Sequence, residues 1–331
     1  MIVLGIETSC DETAASVCRN GTILSSIVSQ QIIHKKYGGV VPEIASREHD
    51  FLLNQVVDQS IKEAKITLSE VNAIAVTQGP GLSGTLLTGI SFAKGLAIAL
   101  KIPIIPINHL EGHIYANFLA KPDLQYPFLC LLVSGGHTQI WNIIEMDKYI
   151  LLGETRDDAA GEAFDKGARI LGLGYPGGPL IENKAKFGRP DKVDFPRILL
   201  GRESLEFSFS GLKTSLLYYL DDFEETDDIK LPDVIASYQM AIIETLSEKI
   251  RRAILKTKSQ RCVIAGGVAA NQSLRKKLKE INPQTEFVFP DLSFCTDNAA
   301  MISFLGQIKI QFASKKKYQD FSFSSLPNLK L

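Results

Sequence analysis

Cysteine is scarce and unpaired in this 331-residue sequence: Cys10, Cys18, Cys130, Cys262 and Cys295 are odd in number and widely spaced. With no C-x-x-C pair, a zinc ribbon or thiol redox motif is excluded, and a reducing, cytoplasmic setting is expected. Charge of one sign is lacking too. Lys plus Arg total 36 against 37 Asp plus Glu, a net charge of −1, which argues against a protein that coats nucleic acid non-specifically. The basic clusters Lys35-Lys36, Arg251-Arg252, Arg275-Lys276-Lys277 with Lys279, and Lys315-Lys316-Lys317 are read as solvated helix faces or tails. Long apolar runs are missing. The best one, Leu86 to Ala99, is broken by Gly89, Lys94 and Gly95 and falls short of a membrane span. No basic stretch precedes Ile2-Val3-Leu4, so no secretory leader is expected. Two catalytic signatures are also absent. No Gly-Lys-Ser/Thr follows a glycine-rich turn, and there is no H-E-x-x-H.

What is present is an ordinary globular composition, 45% hydrophobic and 22% charged, at a length that suits two domains. Ile2–Ile6, Ala14–Cys18 and Thr22–Val28 are β-prone runs, the last two separated by Asn20-Gly21, and they predict a three-stranded antiparallel start. A helix from Pro42 to Lys65, a strand Ala73–Thr77, a helix Thr85–Leu100 and a strand Ile104–Ile107 follow. After Pro127 the order repeats: strands Phe128–Val133, Thr138–Ile144 and Tyr149–Gly153, a helix through Asp158–Leu171, a strand Arg261–Ala265, a helix from Asn271, a strand Glu286–Phe289 and a last helix from Asp297. The expected domains are 1–108 and 109–296, the second carrying a partly helical insertion at about 174–233. Helix 297–313 packs back on the first domain in this reading, and 314–331 forms a tail. Two β-β-β-α-β-α units in tandem define an α/β, actin-like (ASKHA) pair of ribonuclease-H-like domains, a pattern that gives a fold and not a reaction.

His109-Leu110-Glu111-Gly112-His113 puts two imidazoles four residues apart, about 40° apart on one helix face. They can share a metal, or they can simply satisfy a helix start. A metallopeptidase glutamate belongs beside the first histidine, whereas Glu111 is two residues on from His109, about 200° around the helix, and points away from the metal. Asp297 in Phe294-Cys295-Thr296-Asp297-Asn298 is a possible third ligand, or an N-cap. Two histidines and a carboxylate leave open positions suited to iron or zinc as a Lewis acid.

Leu132-Val133-Ser134-Gly135-Gly136 joins two apolar strands through a small turn whose N–H groups can approach a phosphate; Glu7 to Thr13 is its counterpart in the first half. Gly266-Gly267-Val268-Ala269-Ala270-Asn271 follows a strand and opens a helix. Gly79 to Thr85 either binds an anion or turns the chain into a tightly packed helix. Asp158, Glu162, Asp165 and Lys166 share helical spacing, with Gly161 and Gly167 weakening that helix as though something approaches its backbone.

Taken together, Glu7-Thr8-Ser9-Cys10-Asp11-Glu12-Thr13, His109-x-x-x-His113, Val133-Ser134-Gly135-Gly136-His137-Thr138, Phe207-Ser208-Phe209-Ser210-Gly211-Leu212-Lys213-Thr214, Gly266 to Asn271 and Thr296-Asp297-Asn298-Ala299-Ala300-Met301 closely resemble the bacterial TsaD (Kae/Qri/Gcp) family. The resemblance implies transfer of a threonylcarbamoyl group from threonylcarbamoyl-AMP to the exocyclic amine of the adenosine 3′ to the anticodon in tRNAs reading ANN codons. It implies that His109, His113 and Asp297 bind one divalent metal, iron first and zinc second. Leu132, Val133, Ser134, Gly135 and Gly136 would hold the phosphate end of threonylcarbamoyl-AMP, or of ATP or AMP. Asp165, Gly178, Glu182 and Asn271 would hold ribose and adenine, with Asp11 and Glu12 near the reactive end as catalytic candidates. Archaeal and eukaryotic relatives carry a metal-binding tyrosine where this chain has Leu132, which cannot ligate. Implied partners are tRNA, a catalytically silent actin-like paralogue of the TsaB type, a small ATPase of the TsaE type and a carbamoyl-adenylate synthase, with no membrane. The rival readings are an ASKHA-type small-molecule kinase and a metallo-endopeptidase.

Overall fold

A computed structural model describes residues 1–199, 201, 203–312 and 318–331, the side chain of Lys35 excepted. Of the basic clusters, Lys315-Lys316-Lys317 and the Lys35 side chain lie outside the described residues. The chain divides into two compact units, Met1–Leu119 with Thr296–Leu331, and Ala120–Cys295.

Unit 1 contains a five-stranded mixed sheet. Strands β1 (Ile2–Glu7), β2 (Glu12–Arg19) and β3 (Thr22–Gln30) run antiparallel, while β4 (Ala73–Gly79) and β5 (Ile104–Asn108) join parallel to β1, in the order β3-β2-β1-β4-β5. The β2–β3 turn works because Asn20 and Gly21 both take positive φ, 50° and 85°, the hairpin geometry that Asn-Gly favours. Helix α1 (Pro42–Glu63) buries Leu53, Val56, Val57 and Ile61 against this sheet, as its helical spacing predicts.

Helix α2 (Ser83–Leu100) is long and apolar enough, by length and composition, to cross a membrane, and a third of it (33%) is buried within the protein. Its packed face carries small residues for a reason: a Cβ on Gly89 would lie 2.1 Å from the Thr8 hydroxyl. The short helix α3 (His109–Tyr115) follows β5 directly, and α4 (Asn117–Ala120) leads into unit 2.

Unit 2 repeats the plan. Strands β6 (Phe128–Val133), β7 (Thr138–Glu145) and β8 (Lys148–Glu154) are antiparallel, and β9 (Arg261–Ala265) and β10 (Glu286–Val288) join parallel, in the order β10-β9-β6-β7-β8. Its helices are α5 (Ala160–Ile170), α6 (Gly177–Ala185), α7 (Ser210–Asp221), α8 (Leu231–Thr257) and α9 (Gln272–Ile281). The stretch read as inserted thus contains α6 and α7. Helix α8, at 27 residues the longest among the described residues, is not among the elements expected from the sequence, although Pro232 in its first turn marks its start. It supplies much of the unit's core through Val234, Tyr238, Ile242, Leu246 and Ile250.

The last helix, α10 (Ala299–Phe312), belongs to unit 1 and lies so close to the sheet that a Cβ on Gly5 would be 2.5 Å from Ser303 N. It starts two residues later than expected. Asn298 supplies the capping oxygen to Met301 N at 3.0 Å, so the Asp297 carboxylate is not used as the cap.

Candidate metal centre and nucleotide loops

The first site is built entirely within unit 1. Asn108 caps α3, its Oδ1 accepting from Leu110 N (2.9 Å) and Glu111 N (3.3 Å), and the helix it starts presents His109 and His113 on one face. Their rings meet edge to face, with centroids 4.7 Å apart. Asp297 Oδ1 lies 3.4 Å from His109 Nε2 and 3.1 Å from His113 Nε2. One ligand atom from each of the three residues falls within 4.8 Å of the others. His113 is buried to 1% exposure, whereas 23% of the Asp297 side chain remains open.

Residues that the motif reading left without a role orient this cluster. Glu7 Oε2, at the end of β1, is 3.0 Å from His109 Nδ1 and also accepts from Thr77 Oγ1 at 2.5 Å. Glu7 Oε1 accepts from Ser9 N at 2.5 Å, and Ser9 Oγ stands 3.2 Å from His109 Nδ1. A carboxylate behind the far nitrogen of an imidazole sets the ring and raises its basicity, the usual support of a metal-binding histidine. The available sequence signal for Glu7 is a carboxylate that closes the apolar run Ile2–Ile6.

The electrostatics match. Burial pulls the His109 imidazole down, but the carboxylates of Asp297 and Glu7 outweigh it and hold the ring well above its ordinary value. Burial likewise pushes Glu7 and Asp297 up, and His109 reverses both. Glu12 has no such cation. Burial, Asp297 and Asp11 together push its carboxyl well above the carboxylate range, with a hydrogen bond to Asp11. The Cys10–Thr13 turn that carries Asp11 and Glu12 is pinned by a further buried residue, His49 of α1, which contacts Thr13 Oγ1 (2.7 Å) and Cys10 O (3.0 Å). Such a concentration of carboxylates around two imidazoles favours a cation.

Glu111 turns away, as its helical position predicts. It is buried and ion-paired with Lys309 of α10 at 2.6 Å, so it is committed to holding α3 against α10.

The other expected site residues lie in unit 2. Leu132 and Val133 are fully buried strand residues, while Ser134, Gly135 and Gly136 form the open turn; a side chain at either glycine would meet nothing within 4 Å. Ser134 N donates to His137 O (2.8 Å), and His137 N donates to Ser134 Oγ (3.1 Å). Two glycines press on this turn. A Cβ on Gly161 would be 2.5 Å from Ser134 O, and one on Gly266 (φ 88°) would be 2.4 Å from Val133 O, which explains both glycines by close backbone approach.

Asp165 Oδ1 accepts from Gly177 N at 2.7 Å and so fixes the start of α6, where Gly178 has open space. Glu182 Oε1 accepts from Gln272 N at 2.7 Å, and Asn271 Oδ1 from Leu274 N at 2.9 Å, so both serve the first turn of α9. Asn271 Nδ2 donates to Gln239, leaving its carboxamide engaged at both ends. The charged set on α5 is an ion-pair face, with Lys166 2.7 Å from Asp158 and 2.9 Å from Glu162. In the Phe207 to Thr214 stretch, Ser208 Oγ, Phe209 N and both Ser210 donors converge on Asp157, another residue the motif reading passed over.

Comparison with known proteins identifies the family. Residues 22–304 match the family model of TsaD, tRNA N6-adenosine threonylcarbamoyltransferase. Proteins of that description from Thermosipho melanesiensis (51% identical, 100% of each chain covered) and Caldicellulosiruptor saccharolyticus (49% identical, 100% of this chain and 98% of the relative) align over their full length. Among solved structures, HypF of T. kodakarensis matches with a TM-score of 0.63 at 14% identity, covering 96% of this chain and 49% of that one. Component A of the Acidaminococcus fermentans (R)-2-hydroxyglutaryl-CoA dehydratase matches at 0.57 and 14%, covering 93% and 98%. These two establish the α/β, actin-like fold and nothing further.

Proposed function

The chain belongs to the TsaD family and is a tRNA-modifying transferase, and from that premise we propose that it transfers the threonylcarbamoyl group of threonylcarbamoyl-AMP to the exocyclic amine of the adenosine 3′ to the anticodon in tRNAs reading ANN codons. The observation that supports the chemistry is the convergence of His109, His113 and Asp297, with Glu7 behind the first histidine.

We assign His109, His113 and Asp297 to a divalent metal, iron first and zinc second. The fit is good: both Nε2 atoms face one carboxylate oxygen, and His109 Nδ1 is already held by Glu7. When bound, the metal would supply Lewis-acid polarisation of a phosphate or carbamoyl oxygen. Leu132 is buried in β6, so any fourth ligand comes from elsewhere, water or substrate.

The exposed Gly135–Gly136 backbone of the turn that Leu132, Val133 and Ser134 lead into suits the phosphate of the acyl-adenylate, and the α6 and α9 termini shaped by Asp165, Gly178, Glu182 and Asn271 suit its nucleoside. Asp11 and Glu12 would lie near the reactive end, as catalytic candidates. An aromatic amine is a weak nucleophile, but a carbamoyl-adenylate is an activated mixed anhydride. Orientation and charge stabilisation are therefore sufficient without a covalent enzyme intermediate.

The peptidase reading loses its base, because Glu111 is buried in its pair with Lys309. No observation favours the small-molecule kinase. For partners, we propose a TsaB-type paralogue on the outward side of α1 and α2, where Phe51, Leu87 and Ile98 are exposed. A TsaE-type ATPase would join the complex, and a carbamoyl-adenylate synthase would supply the substrate in the cytoplasm. The test is to combine the protein and these partners with threonine, bicarbonate, ATP and unmodified tRNA, and to weigh the digested nucleosides. The threonylcarbamoyl-adenosine mass is expected, and it should vanish with His109→Ala. A His109→Ala protein with full transfer and full metal content would overturn the assignment.

A further inference from the structure

Residues 318–331 have no part in the chemistry above, yet they are bound to the loops that support the metal centre. From Phe321 to Leu326 half-buried and exposed residues alternate, the period of an extended strip lying on a surface, and the alternation resumes after a turn at Pro327-Asn328 in which Leu329 N donates to Leu326 O (3.0 Å). Phe321 and Phe323 pack on the core of unit 1. Lys94 of α2 donates to Phe323 O and sits 4.5 Å above its ring. Gln78 Nε2 donates to Ser324 O (2.9 Å), Leu326 N to Gln78 O (2.9 Å), and Gly81 N to Pro327 O (3.1 Å). The approach is close enough to dictate a residue: a Cβ on Gly79 would lie 1.9 Å from Leu326 O.

Two routes lead from this strip to the ligand cluster. The shorter is Asn108, whose Nδ2 donates to Lys330 O at 3.0 Å while its Oδ1 caps α3. Its carboxamide is thus fixed at both ends one residue before His109. The second runs through Gly81, bound to Pro327 O on one side and pressed against Ser9 on the other, where a Cβ would be 2.6 Å from Ser9 O. Leu82 N holds that same oxygen at 2.8 Å, and Ser9 Oγ contacts His109 Nδ1.

We propose that segment 318–331 is a positioning strap for the metal centre, acting through Asn108 on α3 and through Gly81 on Ser9, so that removing it weakens metal binding in a protein that is still folded. This rests on the assignment of His109, His113 and Asp297 as ligands. A strap that only covers apolar surface would change melting temperature and leave metal affinity alone.

The test is titration with Co²⁺, followed by visible absorption, on four proteins: the full chain, a chain ending at Phe323, Asn108→Ser in the full chain, and the two changes combined. Serine keeps an oxygen for the cap but has no amide to reach Lys330. Each single change is expected to weaken Co²⁺ binding about tenfold, as loss of an outer support does. The combination should be no more than about twofold weaker than the worse single change, because the shortened chain has already lost the Asn108–Lys330 contact that serine removes. Shortened protein that binds Co²⁺ as tightly as the full chain, or losses that multiply in the combination, would overturn the strap. Full-length protein that binds no Co²⁺ would instead overturn the ligand assignment, and the strap with it. If the shortened chain fails to give a cooperative melt, Asn108→Ser decides by itself: weakened binding supports the strap and unchanged binding refutes it.

Discussion

His109 is held by groups that arrive from separate parts of unit 1: Glu7 from the end of β1, Ser9 from the turn after it, and Asp297 from the approach to α10. Replacing Glu7 by Gln keeps the volume but removes the charge behind the ring. Metal affinity should then fall about 10- to 100-fold, as it does when outer-shell carboxylates are lost. Metal titration checks this, and an unchanged affinity would reduce Glu7 to a space-filling role. Glu111 gives the opposite expectation. Glu111→Gln should leave kcat/KM for tRNA modification within about threefold while costing about 1–3 kcal/mol of stability, because Lys309 loses its buried partner. Thermal melting and turnover on the same preparation separate the two, and a collapse of activity would return Glu111 to the list of catalytic candidates. The H-x-x-x-H spacing was legible from sequence because it is local. Glu7 was not, because nothing in the sequence states that residues 7 and 109 touch.

Among the elements, α5 and α8 make the sharpest demands. Gly161 sits on α5 with the Ser134 carbonyl and the Gly135 amide both inside 3 Å of where a Cβ would go, so Gly161→Ala must push the Ser134–His137 turn aside. A loss of about 1–3 kcal/mol in stability is expected, with weaker AMP binding by calorimetry. Unaltered AMP affinity would argue that the turn does not hold the phosphate. In α8, the guanidiniums of Arg251 and then Arg252 overcome burial and hold the Glu248 carboxyl down at about 2, against an ordinary 4.5. Because the folded value is the lower one, this pair stabilises the protein above pH 4.5, and the contribution disappears as pH falls from there towards 2. At 28% exposure of the carboxylate it contributes no more than ~1 kcal/mol. Glu248→Gln should therefore lower Tm near neutrality and flatten its acid limb; an acid limb as steep as that of the parent would contradict this. The three antiparallel strands that open each half are readable as β-prone runs, with Asn20-Gly21 marking a hairpin in the first half. Helix α8 is not expected from the sequence because polar residues interrupt its buried side: Asp233, Ser237, Gln239, Thr245, Ser247 and Lys249 are all buried there.

At the scale of the whole molecule, all three proposed metal ligands belong to unit 1 and the proposed nucleotide residues from Leu132 to Asn271 to unit 2. Unit 2 is one continuous stretch with its own buried core, whereas unit 1 needs residues from both ends of the sequence. Residues 120–295 expressed alone should melt cooperatively and bind no Co²⁺; Co²⁺ binding by that fragment would displace the metal centre from His109, His113 and Asp297. The sequence by itself determined what depends on neighbours along the chain: the duplicated order of strands and helices, the small-residue turns, and the family, through six motifs in a fixed order. Only the tertiary structure decided that Asp297 faces the histidines and is not a helix cap, that Glu7 and Ser9 stand behind His109, and that residues 318–331 reach Asn108. The physical reason is separation in sequence. These contacts join groups about 100 to more than 200 positions apart, and no local propensity or periodicity encodes a hydrogen bond formed only when the sheet and α10 have packed.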